Sequence, residues 1–513
     1  MRKRFFPIVA MICSLLFCGC GEIASDSTLP EGENVILPED QITDETQLQD
    51  TNEEVIYHFY YDSSDSFHPF KAKTQTQKDL FPLLYDGLIK ISPEYTAEPY
   101  IADYVNVGKA VCRIGLNKLN FSNGDPITVE DVLYSFELAM SPGSMYADAL
   151  QNIESVEADH NVIVVRLKTP NRYFAYNLDF PIIQKSTDNG SLPIGRGRYR
   201  LVRSGNSYGM VQNEHYGLSK TLPDIELTLL QSNESMLYAV KTGSITAYAD
   251  PSGEGSSATV GTWTASMSLN HLVFLGLNPE NEFMTDAAVR KAILHAIDSN
   301  AILTQAYGSQ GVITATPINP RLTDTMSYDF SKHDLYNPEL SKKLLQQAGY
   351  QVSESRVRKN IEGKELAVSI LVNKNNSVRY SAAYLISGML ETVGFRVEIE
   401  RVSLDEYKER IATGEFALYV GETGQRMDAS LDVFTTGEAS FGLGEGSLLT
   451  FAEAAANFLA SSSGEAKFFD AVFYEVPMVP LLYRNGLMIY SKSVENKVVL
   501  APHDMFYNIE DWN

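Results

Sequence analysis

Cysteine is nearly missing from this 513-residue chain. Only four occur, and Cys13, Cys18 and Cys20 lie within the first twenty residues. Cys112 is left without a partner, so no disulfide is expected. Its neighbours Val111 and Ile114 point instead to a buried, unreactive thiol on a strand. Histidine is scarce: there are eight, none at H-x-x-H or H-E-x-x-H spacing, which gives direct metal coordination no support. No Walker loop and no G-x-G-x-x-G string occurs, so nucleotide chemistry has no motif to stand on, and no G-x-S-x-G nucleophile elbow is expected. Past the N-terminus, no apolar run reaches the roughly 18 residues that a membrane-spanning helix needs. Positive charge is short as well, with 41 Lys and Arg against 65 Asp and Glu for a net charge of −24. That balance argues against nucleic acid as a partner and against lying flat on anionic lipid.

What is present is ordinary globular material, 44% hydrophobic and 21% charged. The length exceeds what one core sustains, so two or more domains are expected. Arg2, Lys3 and Arg4 precede the apolar run Phe5–Phe17, the pattern of an export signal. The run ends in Phe17-Cys18-Gly19-Cys20, which resembles a bacterial lipoprotein box. Cys20 is therefore the expected lipidation site, with residues 1–19 as signal peptide. Losing residues 1–19 takes the net charge to −27. Setting aside the eleven acids of 21–54 then leaves about −16 for the rest. Residues 20–52, poor in aromatics and rich in Ser, Thr, Pro and acid, read as a disordered acidic tether. Extended, it would reach on the order of 100 Å at about 3.3 Å per residue.

Beyond residue 53, local signals are clear. The stretch Phe121–Met140 opens with an Asn123-Gly124 turn and Pro126. Thr128 is the expected N-cap, with Glu130 and Asp131 in the first turn and Val129, Val132, Leu133, Phe136 and Met140 on one apolar face. Strands are expected at 55–60, around Cys112, and at 162–167, 224–229, 271–277, 368–372 and 395–401. Helices are expected at 236–242, 286–298, 340–350 and 380–392, and a short helix before Gly87 is expected to end at that glycine. His68, beside Pro69, is read as a packing or surface residue.

Six strings, in order, resemble the family 5 extracellular solute-binding proteins of bacterial ABC transporters, the oligopeptide-, dipeptide- and nickel-binding receptors. They are FSNGDPITVEDVLYS at 121–135, DLFPLLYDGL at 79–88, PIGRGRY at 193–199, DAAVRKAILHAID at 286–298, LSKKLLQQAGY at 340–350 and VPMVPL at 476–481. The resemblance implies an α/β, two-lobed periplasmic-binding-protein-like fold with mixed β-sheets, three subdomains and a hinge. Domain I would comprise 53–88, 190–265 and 485–513, domain II 89–189 and domain III 266–484. It implies a non-enzymatic receptor with no cofactor. Such a receptor would be a monomer, lipid-anchored on the extracytoplasmic face, that delivers peptides to ABC permease subunits. A metal chelate, an oligosaccharide or a sensing role are the alternatives. Arg196 and Arg198 stand where the family has Thr and Pro, and are expected to make that turn's surface more cationic.

The resemblance also locates a pocket. Relatives carry G-W-x-x-D-x-x-D-P, whose first Asp receives a peptide's amino group. Here the segment runs from Tyr419 to Ala429, and alignment on Asp428 puts Gln425 at the amine position. The Trp is missing. The expected ligand-binding set is Tyr419, Glu422, Gln425, Arg426 and Asp428. Glu422 or Asp428 would take a cation, or Arg426 a carboxylate. Replacing Glu422 or Asp428 with Ala is then expected to weaken a cationic ligand and leave stability nearly unchanged.

Overall fold

The computed structural model of the chain describes residues 55–512 apart from 191, 205–206, 230–232, 252–260, 324–325, 327, 334 and 436–448. The expected signal segment, Cys20 and the tether lie outside the described residues.

Alternation of apolar and polar residues sets the strands. Ile56–Tyr61 turns Tyr57, Phe59 and Tyr61 inward and pairs in parallel with Asp224–Leu229. Ser207–Gln212 and Tyr199–Ser204 complete that four-stranded sheet. A second sheet of four is antiparallel, in the order Ala102–Gly108, Val111–Leu116, Val162–Leu167 and Ile153–Asp159. Cys112 is fully buried in it, and burial pushes its thiol up to about 12, as suits an inert core residue. The third sheet has seven strands. Within it Ala367–Asn373 and Arg396–Val402 run parallel, joined by the helix Ser377–Val393, which is the α/β unit expected from the alternation there.

The helix Val129–Ala139 begins as its sequence suggests. Thr128 and Asp131 form a reciprocal capping box. The second oxygen of Asp131 accepts the backbone N–H of Lys185 at 2.9 Å, so the cap also fixes the neighbouring segment. Val132 and Phe136 are buried, whereas Met140 at the far end is exposed. His68 is a packing residue. Its Nδ1 accepts the Phe70 N–H, its Nε2 faces Asp188 at 3.2 Å, and burial lowers its pKa.

Three readings change. The helix Phe81–Leu84 stops at Tyr85, so Gly87 does not end it. Gly87 is needed because the backbone of Asp179 comes so near that a Cβ would lie 2.6 Å from its carbonyl. Arg196 and Arg198 are not solvated: each is only 4% exposed. Arg196 donates to the carbonyls of Asn120, His215 and Tyr216 and lies over the rings of Tyr100 and Tyr216. Arg198 pairs with Glu510 at 2.7 Å and Asp504 at 3.3 Å. Between them Gly197 touches the backbone of Leu83 and Leu84, where a Cβ would clash at 2.2 Å. Finally, Gly205-Asn206-Ser207-Tyr208-Gly209 spells G-x-S-x-G. However, Ser207 opens an antiparallel strand paired with the preceding one at Ser204, not the strand-to-helix elbow that exposes a nucleophile.

Two long strands thread both large hydrophobic cores. Thr262–Leu277 and Met478–Ser491 pair antiparallel along their length. Met488 and Tyr490 belong to the first core in chain order, which holds Tyr57 and Tyr85, and the Leu272–Leu277 and Met478–Tyr483 portions to the second. The register slips between Ser268 and His271, where Asn270 takes a φ of +52°. An irregular step in a two-strand connection is where the ribbon bends most readily.

Candidate functional site

A cavity of about 1390 Å³ opens at that step. One wall comes from the first core, with Tyr85, Tyr146 and Tyr176. Another comes from the second, with Glu422, Gln425 and Arg426. The ribbon itself supplies Met267, Ser268, His271 and Arg484. Among the described residues, no three His, Cys, Asp or Glu side chains gather as a metal-ligand set.

Glu422 is the most heavily engaged acid of the cavity. It lies on the strand Leu418–Gly424, opposite Val273. Arg484 reaches it at 2.8 Å, His271 at 3.0 Å and Arg379 at 3.2 Å. His271 and Arg484 are register partners on the ribbon, which is why they converge. Burial raises the carboxyl's pKa, but the His271 hydrogen bond and the two guanidiniums outweigh it and hold the group at about 2, below its ordinary 4.5. The stabilising share of such a depressed acid is complete above pH 4.5 and is lost as pH falls from about 4.5 towards about 2. It amounts to roughly 3 kcal/mol. Urea unfolding at a series of pH values should therefore show a steeper loss between pH 5 and 2 in the wild type than in Glu422→Gln. Equal slopes would refute the pairing.

One carboxylate among two guanidiniums leaves this corner net positive. It suits an incoming anion and repels a further cation. The acid expected to receive a ligand's cation is already supplied with three partners of its own.

The other expected residues are distributed differently. Tyr419, three positions before Glu422, faces the opposite side of the strand. It is fully buried against Phe274, Tyr407 and Phe416 and does not line the cavity. Gln425 lines the cavity, and its Nε2 is buried without a hydrogen-bond partner among the described residues. Arg426 lines it too, but donates to the carbonyl of Asp148 and to Asp432, each at 2.8 Å, and approaches Asp428 at 3.4 Å. Asp428 is 1% exposed, lies outside the cavity lining and accepts from Asn171, Asn177 and the N–H of Ser430. Arg379, Arg484 and His271 were not foreseen. The one signal was a basic residue, Arg484, directly after the apolar run Met478–Tyr483.

The family described as bacterial extracellular solute-binding proteins, family 5, middle region, matches residues 96–441, more than half of the chain. The oligopeptide-binding protein AppA of Bacillus subtilis (strain 168) is 20% identical over 491 residues, covering 87% of this chain and 89% of its own. A nickel ABC transporter structure from Bacillus halodurans superposes with a TM-score of 0.72 at 18% identity, covering 88% of this chain and 98% of that one. AppA of Bacillus subtilis, solved with a nonapeptide, gives 0.58 at 17% identity over 89% and 98%. The fold is the mixed α/β fold of these structures. The chain belongs to the family 5 bacterial extracellular solute-binding proteins and is a non-enzymatic substrate-binding protein of an ABC importer.

Proposed function

We propose that this receptor captures peptides in the cavity at the ribbon step and hands them to ABC permease subunits, held at the membrane by a lipid on Cys20 and an acidic tether over 20–52. The observation that carries the peptide reading is the cavity itself. Its volume of about 1390 Å³ exceeds the roughly 300–1,000 Å³ of small-ligand sites. Aromatic faces and charges of both signs line it, as side chains of varied sequence and two charged termini require. The relative named for oligopeptide binding agrees with this. The domain division given above goes with the same reading, with the ribbon step as hinge, and Glu422, Gln425 and Arg426 are the members of the expected set that border the ligand.

A second reading has one observation in its favour. The net positive corner of Arg379, Arg484 and His271 would also hold the carboxylates of a metal chelate, and one structure of similar fold is that of a nickel transporter.

Native mass spectrometry of the full chain, taken from membranes in detergent, tests both. A spread of adducts at peptide masses is the expected result; a single small metal-containing adduct would replace it with the chelate reading. In the same preparation Cys20→Ala should lose the lipid mass and leave the membrane fraction.

A further inference from the structure

The peptide reading leaves the ligand's polarity open, and the inference here rests on that reading. Asp79 ends the short helix Gln75–Asp79 and lines the cavity. Four other cavity carboxylates already face cations. Asp86 has Lys90 at 3.0 Å, Asp179 has His503 at 2.7 Å and Asp504 has Arg198 at 3.3 Å, while Glu422 has its two arginines. Asp79 makes no ion pair among the described residues. Its hydrogen bond there comes from the neutral amide of Gln75, at 2.7 Å. Burial pushes its carboxyl up to about 6, offset only in part by Gln75 and by the charge of Lys78. A half-buried carboxylate on a cavity wall, bonded only to a neutral amide among the described residues, can accept a ligand cation.

The surroundings suit an organic cation. Tyr60, Phe81, Leu237 and Tyr248 line the same cavity. Tyr60 lies within electrostatic reach of both Asp79 and Tyr248, which, after burial, raise its hydroxyl's pKa. Aromatic faces beside a carboxylate favour an ammonium group over a hydrated metal ion.

Tyr248, near Asp79 through Tyr60 on the same cavity wall, serves as the marker for the distance to the positive corner. Tyr248 pairs with Ile489, and Arg484 lies five residues further along the same strand. At about 3.3 Å per residue that separation is roughly 17 Å. An extended peptide covers it in about five residues, and a free amino acid or dipeptide does not.

We propose that Asp79 receives the ligand's ammonium and Arg484 its carboxylate, so that the cavity selects unblocked peptides of about five residues lying across the ribbon step. The amine subsite thus sits in the wall contributed by the first core, not at Gln425.

The test is native mass spectrometry of the full chain with a randomised pentapeptide mixture in three forms: unblocked, N-acetylated and C-amidated. The wild type should capture the unblocked form at least about 10-fold better than either blocked form. Asp79→Asn, which keeps the size of the side chain and the Gln75 contact, should erase the penalty for N-acetylation and leave that for C-amidation. Arg484→Lys, which keeps a cation beside Glu422, should shrink the penalty for C-amidation alone. A penalty for N-acetylation that survives in Asp79→Asn overturns the Asp79 assignment and leaves peptide capture standing. A penalty for C-amidation that is unchanged in Arg484→Lys overturns the Arg484 assignment in the same way. Failure of the wild type to capture any form overturns both this inference and the peptide reading.

Discussion

Arg198→Ala destabilises the protein by about 3–5 kcal/mol, the range for removing one partner of a buried ion pair. Arg198 is 4% exposed and all three guanidinium nitrogens are engaged. Nε donates to Glu510 at 2.7 Å, Nη1 approaches Asp504 at 3.3 Å, and Nη2 donates to the carbonyl of Tyr507 at 2.9 Å. Burial works against the charge, but Asp504, Tyr216 and Glu510 more than compensate and hold the guanidinium above its ordinary pKa. Alanine would leave the two carboxylates without their cation, and the C-terminal segment would lose its tie to the turn at 193–199. Lysine is not a conservative rescue, because it cannot fork between acceptors on three residues. A functional consequence follows, since Asp504 and Tyr507 line the cavity. Freed of Arg198, Asp504 makes that wall more acidic and should shift capture towards cationic ligands. Urea unfolding of wild type, Arg198→Ala and Arg198→Lys measures the loss. A difference below about 1 kcal/mol for Arg198→Ala would show that the pairs are not maintained in solution.

That arginine also shows where reading the sequence reaches its limit. Strands such as 162–167 and 224–229 were legible to the residue, because a period of two and the flanking breakers are local signals. The Thr128 cap was legible for the same reason. Arg196 and Arg198 looked solvated because nothing within reach along the chain neutralises them. Arg198 meets Asp504 and Glu510, some 300 positions away, and Arg196 is held by the carbonyls of Asn120, His215 and Tyr216. The site fails in the same manner. Glu422 meets Arg379, Arg484 and His271 from separate elements 43, 62 and 151 positions distant. By contrast, the charges adjacent to it in sequence, Arg426 and Asp428, are engaged by the protein itself. Asp79 was in view only as the first letter of a family string. That it has no counter-ion among the described residues emerges once Asp86, Asp179, Glu422 and Asp504 are seen to have theirs.

Asp428→Ala illustrates how this changes an expectation. On sequence alone the substitution would weaken a cationic ligand and cost little stability. In the structure Asp428 is a junction. Oδ2 accepts from Asn177 at 2.8 Å and from Asn171 at 3.1 Å, and Oδ1 accepts the Ser430 N–H at 3.1 Å and approaches Arg426 Nε at 3.4 Å. Asn177 lies between Phe174 and Leu178 of the first core, while Ala429 and Leu431 beside Asp428 belong to the second. The carboxylate therefore ties the two cores together. It is reinforced nearby by Arg172 to Glu465 at 2.8 Å and Arg426 to the carbonyl of Asp148 at 2.8 Å. Alanine takes one acceptor from each of two buried amides, which keep the carbonyls of Asp428 and Ala149, and strands the Ser430 donor; a lost hydrogen bond costs about 1 kcal/mol and an unsatisfied buried group about 1–3 kcal/mol. We expect a net loss of about 2–4 kcal/mol. Because the lost bonds bridge the cores, a second signature should accompany it. The ribbon step then carries more of the connection alone, and the ligand-free protein should scatter X-rays with a larger radius of gyration. Ligand bound between the walls should restore the compact form. Asp428→Asn should fall between wild type and Asp428→Ala, since it keeps acceptor capacity but sets one amide against two others. A stability change under about 1 kcal/mol together with unaltered scattering would mean that Asp428 does not hold the cores together, and would return it to the set of residues free to meet a ligand.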